Sequence, residues 1–248
     1  MEPFIAKDRT IIPNLDMPQT KGIKRILERT APLDEIGAYH LGSEIFEGNT
    51  VPQVVGLVRE YTKKPIIYDA LPHQIDDDRE AERIVKYLRN EGIQAVTIFP
   101  LAGRDVMERW IQKSRDYGLE VIIGGHPSTY SSWEGSYLGR EGIRRLYADA
   151  CLLGATHFIV PATQPTFKPI IENIQERLLH NGQEPVFFSA DYFEESKSGM
   201  ENIHTEEREG AYIPGKRFHT IIGSALHTPL NIQKAASELY SLIANHKG

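Results

Sequence analysis

The sequence has almost no cysteine, since Cys151 is the only one in 248 residues. A single cysteine cannot form an intrachain disulfide and cannot build a cysteine-based zinc site. Long apolar runs are also missing, because none approaches the roughly 18 residues that a transmembrane helix needs. The first residues contain no apolar segment typical of a secretion signal. We therefore expect a cytoplasmic protein that has no membrane partner.

An excess of positive charge is lacking as well. The chain carries 28 Lys and Arg against 34 Asp and Glu, which gives a formal net charge of −6. Proteins that bind the nucleic-acid backbone normally show a basic excess or stripe. The charge balance therefore predicts no nucleic-acid partner, and the 40% of hydrophobic residues is ordinary for a globular protein.

The sequence does contain a regular alternation of short apolar runs and amphipathic segments. The apolar runs predict strands at 11–16, 36–42, 65–71, 95–99, 120–124, 156–160, 185–189 and 218–223. Amphipathic segments predict helices at 21–30, 51–62, 78–91, 104–117, 140–153, 167–181 and 231–245. This pattern over about 250 residues favours a single-domain (β/α)8 TIM barrel spanning residues 1–248. A doubly wound open sheet is the alternative.

One segment, at about 194–217, is charged and shows no clear period. We interpret it as an insertion or a mobile loop. Lys216 and Arg217 at its end are candidate phosphate contacts if this segment folds over the barrel.

Catalytic groups in such barrels collect at the C-terminal ends of the strands. Candidate catalytic and binding residues at or just after the predicted strands are Asp16, His40, Asp69, His73, Gln74, Thr97, His126, Thr163, Asp191, Gly223 and Ser224. An acid at a strand end also serves as a cap for the next helix, and a histidine in an apolar strand also serves as a hydrogen-bonded core residue. Position alone therefore leaves both roles open for each of them.

His40 and Asp69 end neighbouring strands, so about 5 Å is expected between their backbones. Alternation predicts that both side chains point into the barrel, because the flanking residues suit the helix layer: Tyr39, Leu41, Tyr68 and Ala70. We expect Asp69 to hydrogen-bond the imidazole and to favour its protonated form. The pair then acts as acid–base groups, as metal ligands, or as a buried structural ion pair.

The order of several segments resembles the orotidine 5'-phosphate decarboxylase superfamily over nearly the whole chain. The segments that carry the resemblance are 38–42, 96–103, 160–165 and 221–225, and residues 125–127 are similar to a turn in archaeal-type members. The resemblance implies a (β/α)8 barrel and a homodimer with its sites at the dimer interface. It also implies decarboxylation of a pyrimidine nucleotide without a metal or organic cofactor.

The family's catalytic residues map only partly onto this sequence. Its alternating Asp-x-Lys-x-x-Asp motif falls on Asp69, Leu71 and Gln74, so the proton-donating lysine is a leucine. The lysine of the second strand falls on His40, and the ribose-binding aspartate falls on Asp16. The resemblance also implies that Gln74 contacts the partner subunit, since the residue at this position in the family reaches across the dimer interface.

The phosphate-binding residues of the family are also replaced. Its arginine after the last strand falls on Ser224, and its glycine-rich phosphate loop has no counterpart in 189–192. Gly223 and Ser224 remain candidates for contacting an anion through backbone N–H groups.

Three functions follow as alternatives. The first is a decarboxylase-like lyase on a nucleotide or sugar phosphate, with Asp69, His40 and His73 as catalytic groups; ordinary decarboxylation is not expected, because Leu71 has no proton to give. The second is a metal-dependent sugar-phosphate isomerase or epimerase. Its candidate metal ligands are His40, Asp69, His126 and Asp191. The third is a non-catalytic homologue that binds a ligand, such as a small phosphorylated metabolite, or a partner.

Overall fold

Eight parallel strands form a closed barrel in the computed structural model, which describes residues 3–42, 44–70, 78–124, 139–162, 164–190, 212–227 and 231–245. The strands are β1 Arg9–Pro13, β2 Tyr39–Leu41, β3 Ile66–Asp69, β4 Ala95–Ile98, β5 Glu120–Gly124, β6 His157–Ile159, β7 Val186–Ser189 and β8 Arg217–Ile222. Each strand from β2 to β7 pairs with the strand that follows it in the chain, and β8 pairs with β1. The predicted (β/α)8 barrel is confirmed, and the open doubly wound sheet is excluded.

Helices alternate with the strands and cover the outside of the barrel. Within the described residues they are α1 Thr20–Thr30, α2 Val51–Tyr61, α3 Asp78–Asn90, α4 Arg104–Asp116, α5 Arg140–Leu152, α6 Lys168–His180, the short α7 Ser224–His227 and α8 Ile232–Asn245. The predicted helices all occur, with bounds within one or two residues, and α7 was not predicted. No helix in the described part of the chain is long and apolar enough to cross a membrane.

The seam between β1 and β2 closes the barrel and is less regular than the other strand pairs. Isolated parallel bridges join Ile11 to Ile36 and Asn14 to His40. Backbone hydrogen bonds accompany them, including Gly37 N–H to the carbonyl of Ile11 at 3.0 Å and Leu15 N–H to the carbonyl of His40 at 2.8 Å. Only 39–41 of the predicted strand 36–42 is regular, because the chain before it makes isolated bridges instead of a ladder.

Strand residues alternate between two apolar layers, as the pleat of a strand requires. The layer between the strands and the helices is the larger one, and it includes Tyr39, Leu41, Tyr68 and Ala70 as predicted. The inner layer fills the barrel; its buried members are Ile5, Ile12, Ala38, Ile67, Ala95, Ile122, Val186, Phe188 and Ile221. This inner packing makes the barrel a filled core and leaves its two ends for other roles.

The end of the barrel where the strands begin is here called the floor. Arg217 opens β8 at the floor, where its Nη2 donates to the carbonyl of Ile5 at 2.6 Å. Lys216 lies 3.2 Å from Oδ2 of Asp8 at the same end. The expectation that Lys216 and Arg217 contact a phosphate at the other end of the barrel is therefore wrong. Both residues lie at the start of β8, and the C-terminal end of this strand lies at the other end of the barrel.

The predicted insertion at 194–217 falls largely outside the described residues. Its last part, from Tyr212, is described and packs against the barrel. The Tyr212 N–H donates to the carbonyl of Ala162 at 3.0 Å, and Ile213 is buried. Tyr212 and Ile213, although they lie within the predicted insertion, are therefore packed against the barrel.

Candidate functional site at the C-terminal ends of the strands

The opposite end of the barrel is here called the mouth. One side of the mouth carries four polar residues, one from each of four consecutive strands. Asn14, His40, Asp69 and Thr97 lie at or just after β1 to β4 and form what we call the polar arc. Each is two residues beyond an inner-layer member of its own strand, so each faces into the barrel. Asn14 is bridged to His40, and Asp69 is in register with Thr97. The predicted mouth positions of His40, Asp69 and Thr97 agree with this placement.

His40 connects the two sides of the seam. Its Nδ1 lies 3.1 Å from Oδ1 of Asn14, and its Nε2 lies 4.0 Å from Oδ2 of Asp69. The ring is only 6% exposed. Burial therefore lowers the pKa of His40 to about 4, because a buried charge loses its hydration.

The expected protonated, hydrogen-bonded imidazole is therefore a wrong prediction. A separation of 4.0 Å between His40 and Asp69 is too long for a hydrogen bond, and desolvation outweighs the attraction of the carboxylate. His40 is neutral at physiological pH, so it brings no positive charge to the mouth.

Thr97 carries a hydroxyl that the described residues leave without a hydrogen-bond partner. The residue is 2% exposed, and its carbonyl accepts the N–H of Ala70 at 3.1 Å. Buried hydroxyls in native proteins are normally hydrogen-bonded, and leaving one unpaired costs about 1–3 kcal/mol. The Thr97 hydroxyl is therefore a group that a ligand at the mouth would satisfy.

Asp16, the predicted ribose-binding residue, lies beyond β1 and contacts the loop after β2. Its Oδ1 accepts the N–H of Ile45 at 3.1 Å, and its own N–H donates to Oδ1 of Asn14 at 3.1 Å. The position that faces the polar arc on this strand is Asn14, which the sequence analysis did not select. The sequence does contain a signal for Asn14, because Thr10, Ile12 and Asn14 alternate on the inward-facing side of this strand.

Among the described residues, those at the ends of β4, β5 and β6 on the other side of the mouth are apolar. Phe99, Gly124 and Ile159 lie there, and we call them the apolar arc. Phe99 and Ile159 are partly exposed. A Cβ on Gly124 would lie 2.8 Å from Cγ2 of Ile159 and 3.3 Å from Cδ2 of Phe99. The absence of a side chain at Gly124 therefore lets these two apolar groups approach each other across the strand end.

Gly223 follows β8 beside the polar arc. A Cβ there would meet only Nδ2 of Asn14, at 4.0 Å, so the space before it is open among the described residues. Ser224 begins α7, and His227 of that helix donates from Nε2 to the carbonyl of Asn14 at 2.7 Å. The role of Gly223 and Ser224 as anion contacts stays a prediction.

The remaining predicted site residues lie outside the described part of the chain: Leu71, His73, Gln74, His126, Thr163 and Asp191. Within the described part, no group of three or more His, Cys, Asp or Glu is placed to hold a metal ion. His40 and Asp69 are therefore the part of the predicted metal set that the structure positions, and the other two ligands, His126 and Asp191, stay predictions.

Comparison with known proteins supports the fold. No family model matches the sequence, and no curated protein matches it significantly. Among solved structures, the chain is similar to orotidine 5'-monophosphate decarboxylase from Methanocaldococcus jannaschii complexed with the inhibitor BMP. The TM-score is 0.68 at 16% identity, covering 96% of this chain and 99% of that one. An uncharacterized conserved protein from Geobacillus kaustophilus gives a TM-score of 0.65 at 18% identity, covering 94% of this chain and 99% of that one.

Proposed function

We propose that the protein binds a small phosphorylated metabolite, a nucleoside monophosphate or a sugar phosphate, at the mouth of its barrel. The observation that carries the proposal is the division of the mouth into the polar arc and the apolar arc. A nucleoside has the matching division, with a flat, largely apolar face on its base and hydroxyl groups on its sugar. Small-molecule sites commonly combine an apolar wall with a few placed polar groups.

We further propose that the chain is a decarboxylase-like lyase of the orotidine 5'-phosphate decarboxylase superfamily. The near-complete coverage of a solved decarboxylase barrel supports this, together with the position of Asp69 at the end of β3. Asp69 would place a negative charge beside a leaving carboxylate and so favour its departure.

Ordinary orotidine 5'-phosphate decarboxylation is not part of the proposal. Leu71 stands where the family has its proton-donating lysine, and loss of a positioned acid typically costs 10²–10⁴-fold in rate. His40 does not replace the missing charge, because burial keeps it neutral. The substrate is therefore expected to differ from orotidine 5'-phosphate in the group that receives the proton.

Calorimetric titration with uridine 5'-monophosphate, ribose 5-phosphate, uridine and inorganic phosphate tests the binding proposal. We expect at least one phosphorylated sugar to bind more tightly than uridine or phosphate alone. A protein that binds none of the four overturns the proposed ligand class. A robust turnover of orotidine 5'-phosphate overturns the proposed departure from the family reaction.

A matched pair of variants locates the binding. Thr97→Val removes the buried hydroxyl while keeping the volume, so we expect weaker ligand binding without loss of stability. Thr220→Val is the control, since the Thr220 hydroxyl is equally buried and lacks a partner among the described residues. Thr220 lies on the outer face of β8, between Phe218 and Ile222 by alternation. Equal effects of the two variants on affinity would argue against the mouth as the binding site.

We also propose a homodimer, as the family resemblance implies. Light scattering at micromolar concentration tests it, and a monomer mass would refute it.

A further inference from the structure

The side chain of Asn14 determines which nitrogen of His40 carries its proton. Oδ1 of Asn14 lies 3.1 Å from the backbone N–H of Asp16 and 3.1 Å from Nδ1 of His40. A backbone N–H can only donate, so the atom of Asn14 that faces it is the oxygen. The same oxygen can only accept, so the Nδ1 that faces it must carry a proton.

The position of the proton leaves Nε2 as the acceptor of the neutral ring. In a neutral imidazole with hydrogen on Nδ1, Nε2 holds a lone pair in the plane of the ring. That atom lies on the side of Asp69, 4.0 Å from Oδ2. Nε2 of His40 and Oδ2 of Asp69 are therefore both acceptors, and no hydrogen bond joins them.

The backbone of Asn14 is held by β8 and α7, on the side of β1 that faces away from the seam. Its N–H donates to the carbonyl of Ile222 at 2.8 Å, and its carbonyl accepts Nε2–H of His227 at 2.7 Å. These two bonds tie the asparagine to β8 and α7, so its amide is presented to His40 from a braced position. The Nε2 atom of His227 carries a proton in this bond, because a carbonyl can only accept.

We propose that Asn14 is a positioning residue that fixes His40 with its proton on Nδ1, so that Nε2 accepts a hydrogen bond from a hydroxyl or N–H group of the ligand. The ligand part of this inference rests on the proposed function, whereas the proton position does not. The unpartnered hydroxyl of Thr97 is a second, independent sign of a polar ligand group, because it lies in the same arc and needs a partner.

The arrangement makes the mouth selective for donors. A ligand group that only accepts hydrogen bonds would face the lone pair of Nε2, and burying two acceptors against each other is costly. Sites built to pair one polar group discriminate strongly against ligands that lack it. Asn14 would therefore set the specificity through His40 without touching the ligand group itself.

Nitrogen NMR of the protein with ¹⁵N-labelled histidine tests the proton position. His40→Gln identifies the signals of His40 by their loss. We expect the wild type at pH 7 to show a protonated Nδ1 and an unprotonated Nε2 for this residue. A proton on Nε2 of His40 would overturn the inference.

Two substitutions of Asn14 test its role. Asn14→Leu keeps the approximate volume and removes the acceptor, so we expect a mixture of the two neutral forms and about tenfold weaker binding of uridine 5'-monophosphate. Asn14→Asp keeps the acceptor, so the proton stays on Nδ1. Asn90→Leu, at the exposed end of α3, controls for the loss of an asparagine and should leave both spectrum and affinity unchanged.

The outcomes separate this inference from the proposed function. If uridine 5'-monophosphate and ribose 5-phosphate both fail to bind, the proposed function fails, while the spectra still decide the proton position. If Asn14→Leu binds the nucleotide as tightly as the wild type, the positioning role is overturned. If Asn14→Leu does not fold, the wild-type spectrum decides, and a proton on Nε2 of His40 contradicts the inference.

Discussion

Gly42 lies so close to Asp16 that no side chain fits between them. A Cβ on Gly42 would be 2.2 Å from Oδ2 of Asp16. The other oxygen of this carboxylate accepts the N–H of Ile45 at 3.1 Å. The loop after β1 and the loop after β2 therefore pack against each other through one glycine and one acid, directly beside the polar arc.

Gly42→Ala should destabilise the protein by about 1–3 kcal/mol, because the new methyl group displaces the carboxylate of Asp16 from its bond to Ile45. Urea unfolding measures the change. Gly56→Ala is the control, since Gly56 is exposed on α2 and a Cβ there meets nothing within 4 Å. That change should stabilise by up to about 1 kcal/mol through helix propensity. Equal stability of the two variants would contradict the close packing at Gly42.

Asp69→Asn should weaken the binding of uridine 5'-monophosphate about tenfold and leave the melting temperature within about 2 °C of the wild type. The reason is that asparagine keeps the size of the side chain, and the 4.0 Å separation from His40 is too long for a hydrogen bond that the change could break. Thermal unfolding with and without the nucleotide measures both quantities. A lower melting temperature with unchanged affinity would instead identify Asp69 as a structural ion-pair residue.

Acid should destabilise the protein through histidines buried at the floor. Burial lowers the pKa of His157 to about 4 and that of His219 to about 3, and the charge of Arg217 acts in the same direction. Both are neutral in the folded state, whereas the unfolded chain takes up protons near pH 6.5. The stability they contribute is present above pH 6.5 and is lost as the pH falls from there toward 4.

The slope of stability against pH measures this effect. Each buried histidine contributes up to about 1.4 kcal/mol per pH unit between these limits. His219→Gln should flatten the slope of the unfolding free energy between pH 6.5 and 4.5. His180→Gln, at the exposed end of α6, controls for the loss of a histidine. An unchanged slope in His219→Gln would show that this residue is not the source.

Cys151 should resist thiol reagents in the folded protein. It is 7% exposed on the inner side of α5, and burial raises its pKa to about 11, so little thiolate is present at pH 8. Iodoacetamide labelling followed by mass spectrometry should show slow modification in native buffer and rapid modification in urea. Rapid labelling without urea would contradict the burial of this thiol.

The barrel could be predicted from the sequence because parallel strands covered by helices are short apolar runs on both faces. β5 is the clearest case, since its predicted and observed bounds are both 120–124. β2 was predicted too long, because Gly37 and its neighbours face the irregular seam, where apolar residues occur without a regular ladder. Apolar content therefore predicts burial better than it predicts strand pairing.

The site was harder to predict because its properties depend on depth and direction. His40 was expected to be charged, yet the sequence does not reveal that the ring is buried, and burial decides its protonation. Asp16 was a predicted site residue because it ends the first apolar run and matches the ribose-binding aspartate of the family. Counting inward positions from Ile12 selects Asn14 instead. Lys216 and Arg217 precede β8, so the direction of the strand places them at the floor and not at the mouth.

The polar arc crosses the seam of the barrel, so a ligand bound at the arc would couple its affinity to the local opening of the chain there. Asn14 stands on one edge of the seam and His40 on the other, so any local separation of β1 from β2 divides the site. A ligand that contacts both edges would stabilise the closed seam. It would therefore slow amide hydrogen exchange at Leu15 and Gly37, whose N–H groups donate across the seam. The pairing of β1 with β2, the least regular in the barrel, would then be the pairing that a bound ligand stabilises.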